Sequence, residues 1–191
     1  MRKSIKTMVG IRVAVALLAV LLFSFVMTVN ILSIEADQKT NAETTALLNR
    51  AQTAEVAHYR WSANLSNALY ANTEFTGSMD PTTCVLGQWL YGEAGTDNEV
   101  VLSLRQQMEP LHKELHQSAS TALSMKATSA TEAQLYYQGT IQKNLTTLVG
   151  LLDQVVAEGT ALNEQTAAQM RNTITVMHVT SIVGLALCLI S

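Results

Sequence analysis

Proline, glycine and aromatic residues are all scarce in this sequence. Its 191 residues include two prolines and nine glycines, and only 5% are aromatic although 48% are hydrophobic. Sandwiches and barrels need frequent turns and strands rich in aromatic residues, so this composition argues against them. We therefore predict an all-α protein whose helices form an up-and-down bundle of the four-helix type.

Cysteine is also scarce, and the two that are present do not form a disulfide framework. Cys84 lies in the middle of the chain, and Cys188 lies in an apolar tail that we predict to enter a membrane. In an oxidising compartment Cys84 would be an unpaired thiol unless a metal ion or a second chain engages it. Histidine is nearly as rare, with four in the chain, so the grouping of three of them described below is informative.

Charge is absent from two long apolar segments. The first, 13–34, is long enough to cross a hydrocarbon layer of about 30 Å. The cations before it predict a cytoplasmic N-terminus, residues 1–12, by the positive-inside rule: Arg2, Lys3, Lys6 and Arg12. A cleaved signal peptide is the alternative. It is disfavoured because the run exceeds the roughly 7–15 apolar residues of such a peptide and no A-x-A-like cleavage site follows.

The second apolar segment, 174–191, is predicted to begin a second transmembrane helix. The sequence stops inside this segment, so we expect the protein to continue beyond it. His178 is interpreted as a polar residue near a membrane interface and Cys188 as a small apolar residue.

The intervening domain, 35–173, contains all 15 acidic residues but only 8 of the 12 basic ones, a local net charge of −7. This acidity disfavours nucleic acid as a partner.

Apolar residues in steps of three and four predict four helices in this domain. They cover 35–76, 84–91 and 97–126, and the last begins near 131 and continues into the second apolar segment. Pro110 is expected to kink the third helix or to mark the start of a new segment, and Gly159 to interrupt the apolar seam of the last. The loop 76–83 ends in hydroxyls that can cap the short helix. The predicted seams are Leu47, Ala51, Ala54, His58, Trp61 and Leu65; Leu104, Met108, Leu111, Leu115 and Ala119; and Ile141, Leu145, Leu148, Leu152, Val155 and Leu162.

Helix geometry predicts that three histidines share one level of the bundle. His58 lies on the seam of the first helix, whereas His112 and His116, four residues apart, project from one face of the third. At 1.5 Å per residue the three lie within about two turns of one another. The loop before Cys84 can bring its thiol beside them, and the start of the short helix is expected to favour the thiolate. A single inward histidine is usually a satisfied core residue, but this combination indicates a metal site.

One thiolate and three imidazoles are the donors of a tetrahedral zinc site, and they suit zinc better than copper or iron, although nickel or cobalt could occupy the same donors. The stretch from His112 to His116 is not a metalloprotease motif. That motif requires Glu directly after the first His, where this chain has Lys113. We therefore expect no enzymatic activity. Trp61 and Trp89 are interpreted as packing residues that shield the site.

The residues around this predicted site resemble the chemoreceptor zinc-binding (CZB) domain of bacteria. That family has a histidine with Trp three residues later, then C-x-[LF]-G-x-W, then H-x-x-x-H. Here these are His58-Tyr-Arg-Trp61, Cys84-Val-Leu-Gly-Gln-Trp89 and His112-Lys-Glu-Leu-His116, within about 55–130. The resemblance implies zinc bound by His58, Cys84, His112 and His116 on a helical bundle that pairs into homodimers. The family is most often cytoplasmic, whereas here the motif lies between two predicted membrane helices, a layout that resembles a methyl-accepting chemotaxis receptor.

These observations together predict the periplasmic sensor of a chemoreceptor in the bacterial inner membrane. It would signal zinc occupancy, or oxidation of Cys84, to a cytoplasmic signalling region beyond the sequence. Two alternatives stay open at this point. The zinc could be purely structural in a sensor of an organic ligand, or the sensor could belong to a membrane diguanylate cyclase or histidine kinase.

Overall fold

The regular structure of the protein is helical throughout the part that is described. A computed structural model describes the backbone of residues 5–190 and the side chains of residues 5–186. Its helices are α1 (Ile5–Tyr70), α2 (Val85–Tyr91), α3 (Glu99–Thr128), α4 (Ala130–Tyr136) and α5 (Gln142–Ile190), and one π-helical turn (Tyr137–Ile141) joins the last two. No strand occurs among these residues, which confirms the predicted all-α class. Arg2, Lys3 and the side chain of Cys188 lie outside the described residues.

Side chains at the helix ends explain where three of these helices begin. Asn98 caps α3 by accepting a hydrogen bond from the Val101 amide, and Ser129 caps α4 in the same way. The cap of α2 is the Cys84 thiol, which accepts from the amide of Gly87. The sequence prediction assigned this role to the preceding hydroxyls. That was wrong because the Thr83 hydroxyl instead bonds the Asp80 carbonyl, 3.0 Å away within the loop.

The chain divides into two compact units, one of residues 42–163 and one of residues 1–41 with 164–191. The first contains the hydrophobic core, to which α1, α2, α3, the π turn and α5 all contribute. The predicted seams are confirmed there, with Leu111 and Leu162 half-buried and the other seam positions buried. Apolar burial of this kind holds such helices together, because their intrinsic propensity alone is too weak.

Pro110 and Gly159 do not break their helices. α3 continues through Pro110, so the predicted alternative of a new segment there is wrong. Pro110 and Gln106, whose carbonyl loses its helical donor, are both exposed, so water can satisfy that carbonyl. Gly159 lies inside the interface between α5 and α1, where an added Cβ would stand 2.8 Å from Leu48 Cδ2. It therefore permits close helix approach and does not interrupt the seam.

The π turn is tied to α1 by a buried tyrosine. The Tyr137 hydroxyl lies 2.8 Å from Ser62 Oγ and donates to the Ser62 carbonyl at 3.1 Å. The same hydroxyl accepts a hydrogen bond from Gln142 Nε2 at 3.3 Å. Ser62 stands one helical turn beyond His58 on α1. The irregular turn thus has a fixed contact with the helix that carries the first predicted ligand.

In the unit of residues 1–41 and 164–191, the described residues belong to the N-terminal part of α1 and the C-terminal part of α5. α1 and the continuous helix of α4, the π turn and α5 are each long and apolar enough to cross a membrane, judged by length and composition. Within this unit Phe23 of α1 lies 3.4 Å from the position of a Cβ built on Gly184 of α5. Large apolar side chains on the remaining faces are exposed, among them Leu17, Leu21, Phe25, Ile182 and Leu185.

Candidate metal centre

The four predicted ligands come together from three helices. His58 projects from α1, Cys84 stands at the start of α2, and His112 and His116 project from α3. One donor atom from each lies within 4.8 Å of every other donor atom. The prediction that three histidines share a level and that the loop returns the thiol to them is therefore confirmed.

Two sulfur–nitrogen distances within the cluster bracket the value that a single tetrahedral ion requires. Cys84 Sγ lies 3.1 Å from His112 Nε2 and 3.9 Å from His58 Nε2. A zinc ion with bonds of about 2.3 Å to sulfur and about 2.0–2.1 Å to nitrogen implies sulfur–nitrogen separations of about 3.6 Å. The two observed distances lie on either side of that value. The three imidazole rings also contact one another, with centroids 4.6 to 5.6 Å apart.

Backbone carbonyls orient two of the three imidazoles. His58 Nδ1 donates to the Ala54 carbonyl at 2.7 Å, and His116 Nδ1 donates to the Ser78 carbonyl at 2.9 Å. A carbonyl oxygen only accepts, so each Nδ1 carries the proton and each Nε2 keeps a free lone pair. This is the usual outer support of a metal-binding histidine. Ser78 was missed by sequence analysis because a backbone carbonyl leaves no signal in the side-chain pattern.

Two buried nitrogens in the cluster have no hydrogen-bond partner among the described residues. They are His116 Nε2, which the Ser78 bond leaves with its lone pair, and His112 Nδ1. A buried polar atom without a partner costs about 1–3 kcal/mol, so native structures rarely contain one without a reason. A metal ion accounts for His116 Nε2 directly. The donor set and the unmet donor atom both fit zinc.

Burial keeps the three imidazoles neutral. It lowers the pKa of His58 to about 4 and that of His112 to about 3, and it also lowers the pKa of His116. Proximity to His116 lowers the first two further, since two neighbouring cations would repel. Neutral imidazoles are the form that binds a metal, so the site is ready at physiological pH.

Burial acts on the thiol in the opposite sense. It raises the pKa of Cys84, and the lowering by the amides of Gly87 and Leu86 at the start of α2 does not compensate. The amides at the helix start do favour the thiolate, as expected, but burial of the sulfur outweighs them in the metal-free site. A bound cation is what would stabilise the thiolate here.

Gly87 fixes the position of α2 relative to the loop. A Cβ built at this position would lie 1.8 Å from the Pro81 carbonyl oxygen, which is an impossible contact. The Gly87 amide also donates to Cys84 Sγ at 3.2 Å. Only glycine therefore allows the first turn of α2 to pack on the loop and hold the sulfur in place.

Trp61 packs against the site, as predicted, whereas Trp89 is a packing residue of the hydrophobic core. Trp61 is buried, its ring centroid lies 5.2 Å from that of His116, and its Nε1 donates to the Ser78 carbonyl at 2.8 Å. The same carbonyl thus serves the indole and the imidazole. Trp89 is buried on α2 and donates to the Ala94 carbonyl.

Glu114, the acidic residue between His112 and His116, is exposed on α3, away from the buried cluster.

The arrangement defines a metal-binding helical domain, and comparison with known families gives its type. Residues 58–123, about a third of the chain, match the family model described as the chemoreceptor zinc-binding domain. The match begins at His58 and includes the other three clustered residues. Zinc is therefore the cofactor indicated both by this similarity and by the donor set. Searches of curated proteins and of solved structures give no match.

Replacing Gly87 by Ala should weaken zinc binding without touching a ligand. The added methyl would push α2 away from the Pro81 carbonyl and carry Cys84 with it, with an expected loss of about ten- to hundredfold in affinity. Chelator competition on the full chain in detergent measures this. Gly139→Ala is the matched control, since nothing lies within 4 Å of its added Cβ. Equal affinities for the two variants would contradict the prediction.

Zinc binding at pH 7 should release about one proton per ion. The histidines are already neutral because their pKa values are lowered, whereas the Cys84 thiol, with its raised pKa, must lose a proton on binding. Calorimetry in buffers of different ionisation enthalpy counts the protons, and Cys84→Ala should release close to none. A value near zero for the unmodified chain would mean a preformed thiolate, and a value near two would mean a protonated imidazole.

Proposed function

We propose that this protein is the zinc-binding sensory part of a bacterial transmembrane chemoreceptor, with zinc held by His58, Cys84, His112 and His116. The observation that carries the proposal is the buried cluster of one sulfur and three nitrogens within 4.8 Å. The family similarity of residues 58–123 supports zinc as the ion and sensing as the role. When bound, the ion supplies a positive charge that stabilises the Cys84 thiolate and joins α1, α2 and α3.

A position on the periplasmic side of the inner membrane is part of the proposal. It is supported by two helices that are long and apolar enough to span, one on each side of the metal-binding domain. Cations concentrate before the first apolar stretch, and all acidic residues lie between the two. This distribution favours a cytoplasmic N-terminus and an exported domain.

The proposed signal is a change at the Cys84 sulfur. A two-electron oxidant such as hypochlorous acid transfers oxygen to the thiolate, giving a sulfenic acid and chloride. The product is a poorer metal ligand, so α2 loses its bond to the cluster. Half-burial of Cys84 leaves the sulfur within reach of a small oxidant. A change in zinc occupancy would act on α2 through the same bond.

Two contacts can carry the change to α5. Near the start of α3, Asn98 Nδ2 donates to Glu158 Oε1 of α5 at 2.9 Å. One turn beyond His58, Ser62 bonds Tyr137 in the π turn that leads into α5. We propose that these contacts shift α5, which would pass the movement through the membrane to a cytoplasmic signalling region. A homodimer is the proposed assembly, because two spanning helices per chain are poorly buried alone.

The function is tested by zinc content and zinc release. The full chain in lipid nanodiscs should carry about one zinc per chain, whereas Cys84→Ala and His112→Ala should carry clearly less. His178→Ala should match the unmodified chain, because His178 is exposed and outside the cluster. A stoichiometric amount of hypochlorous acid should then release the ion. A metal-free unmodified chain would refute the zinc site.

The side of the membrane on which the domain lies is tested by thiol labelling of intact cells. After chelation, a membrane-impermeant thiol reagent should label the unmodified chain and not Cys84→Ala. Labelling that requires cell lysis would refute the periplasmic position.

A sensor of an organic molecule with purely structural zinc is the second candidate. An open groove of about 520 Å³ beside the π turn favours it, lined by Ser66, Tyr70, Tyr137, Gln138 and Gln142. Its hydroxyl and amide lining would suit a small polar molecule. Zinc that stays bound under oxidant would favour this candidate over the proposed switch.

A further inference from the structure

Arg105 joins α3 to the far end of the helix that carries the thiol. Its Nε donates to the Trp89 carbonyl at 3.1 Å, and its Nη2 donates to the Leu90 carbonyl at 2.9 Å and to the Gly92 carbonyl. All three carbonyls lie at the C-terminal end of α2. One guanidinium thus satisfies carbonyls that have no helical donor of their own.

These contacts matter because α2 is too short to be stable alone. It has seven residues, whereas an isolated helix is marginal below about 12–15. Its position therefore depends on what holds its ends and its inner face. The start is held by Gly87 against the loop, the inner face by the buried side chains of Leu86, Trp89 and Leu90, and the end by Arg105.

The guanidinium suits this place in charge and in shape. The C-terminal end of a helix carries partial negative charge, which a cation stabilises. A planar fork of donors can reach several carbonyls at once, whereas the single ammonium of lysine cannot hold the same geometry. Arg105 lies seven residues before His112 on α3, about two turns along the same side of the helix. The helix that presents two imidazoles therefore also anchors the helix that presents the sulfur.

We infer that Arg105 is a positioning residue for Cys84: by clamping the end of α2 it sets the place of the sulfur relative to the three imidazoles. This inference rests on the proposed zinc site for its effect on metal affinity. Its effect on the metal-free thiol does not depend on zinc. Removing the clamp leaves the four ligands unchanged and lets α2 move away from the cluster.

The first test uses the metal-free full chain with Cys188→Ala throughout, so that Cys84 is the one thiol. Arg105→Gln should react with a thiol reagent about tenfold faster than the unmodified background, because the half-buried sulfur becomes more accessible. Arg105→Lys should fall between the two. The matched control is Arg60→Gln, since Arg60 is exposed on α1. Equal rates for Arg105→Gln and Arg60→Gln would overturn the inference.

The second test is a double-mutant cycle on zinc affinity. Arg105→Gln should lower affinity about ten- to hundredfold when Cys84 is present, and should cause no further loss in the Cys84→Ala chain. An equal loss in both backgrounds would mean general loosening of the bundle and would overturn a specific role. Circular dichroism checks that the helical content is kept, and Arg105→Lys carries the test if Arg105→Gln does not fold. If the unmodified chain binds no zinc, the proposed function fails. The rates of the thiol reaction would still show whether Arg105 positions Cys84.

Discussion

Three neutral imidazoles and a thiol share one buried space in this protein, where α1, α2 and α3 meet. Burial prevents the histidines from gaining protons and the cysteine from losing one. It also leaves His116 Nε2 without a partner among the described residues. No hydrogen bond within the cluster supplies a partner for this nitrogen, but a divalent cation would. The helices are arranged so that such an ion has four donors.

The bundle supplies these donors with different degrees of rigidity. The imidazoles project from within long helices and have buried neighbours, and backbone carbonyls orient two of them. The sulfur comes from a seven-residue helix that depends on a glycine contact at one end and an arginine at the other. The three imidazoles are therefore held more rigidly than the sulfur. Loss of the sulfur bond would therefore move α2 before it moves α1 or α3.

The sequence was sufficient for the features that depend on helical periodicity. Steps of three and four residues placed His58 on an inner face, and the four-residue spacing put His112 and His116 together. The return of Cys84 to the same level followed from the length of the loop. The resemblance to a zinc-binding family rested on the same residues, which is why the two lines of reasoning agreed.

Other features depend on tertiary contacts and could not be predicted from the sequence. The Ser78 carbonyl that orients His116 has no side-chain signal, and the π turn around Tyr137 has no distinct pattern. Arg105 looked like an ordinary charged residue beside an apolar seam, because only the folded chain shows the carbonyls it meets. The sequence predicted the favourable effect of the helix start on the thiolate but not the larger, opposite effect of burial on the thiol pKa, which depends on packing. Pro110 is tolerated because Gln106, whose carbonyl loses its helical donor, is exposed to solvent.

The central claim is that one zinc ion is held by one sulfur and three nitrogens at the meeting of α1, α2 and α3. X-ray absorption at the zinc edge on the purified full chain tests this claim most directly. We expect one sulfur at about 2.3 Å and three nitrogens at about 2.0–2.1 Å. A shell of nitrogen and oxygen alone, or one with two or more sulfurs, would contradict it.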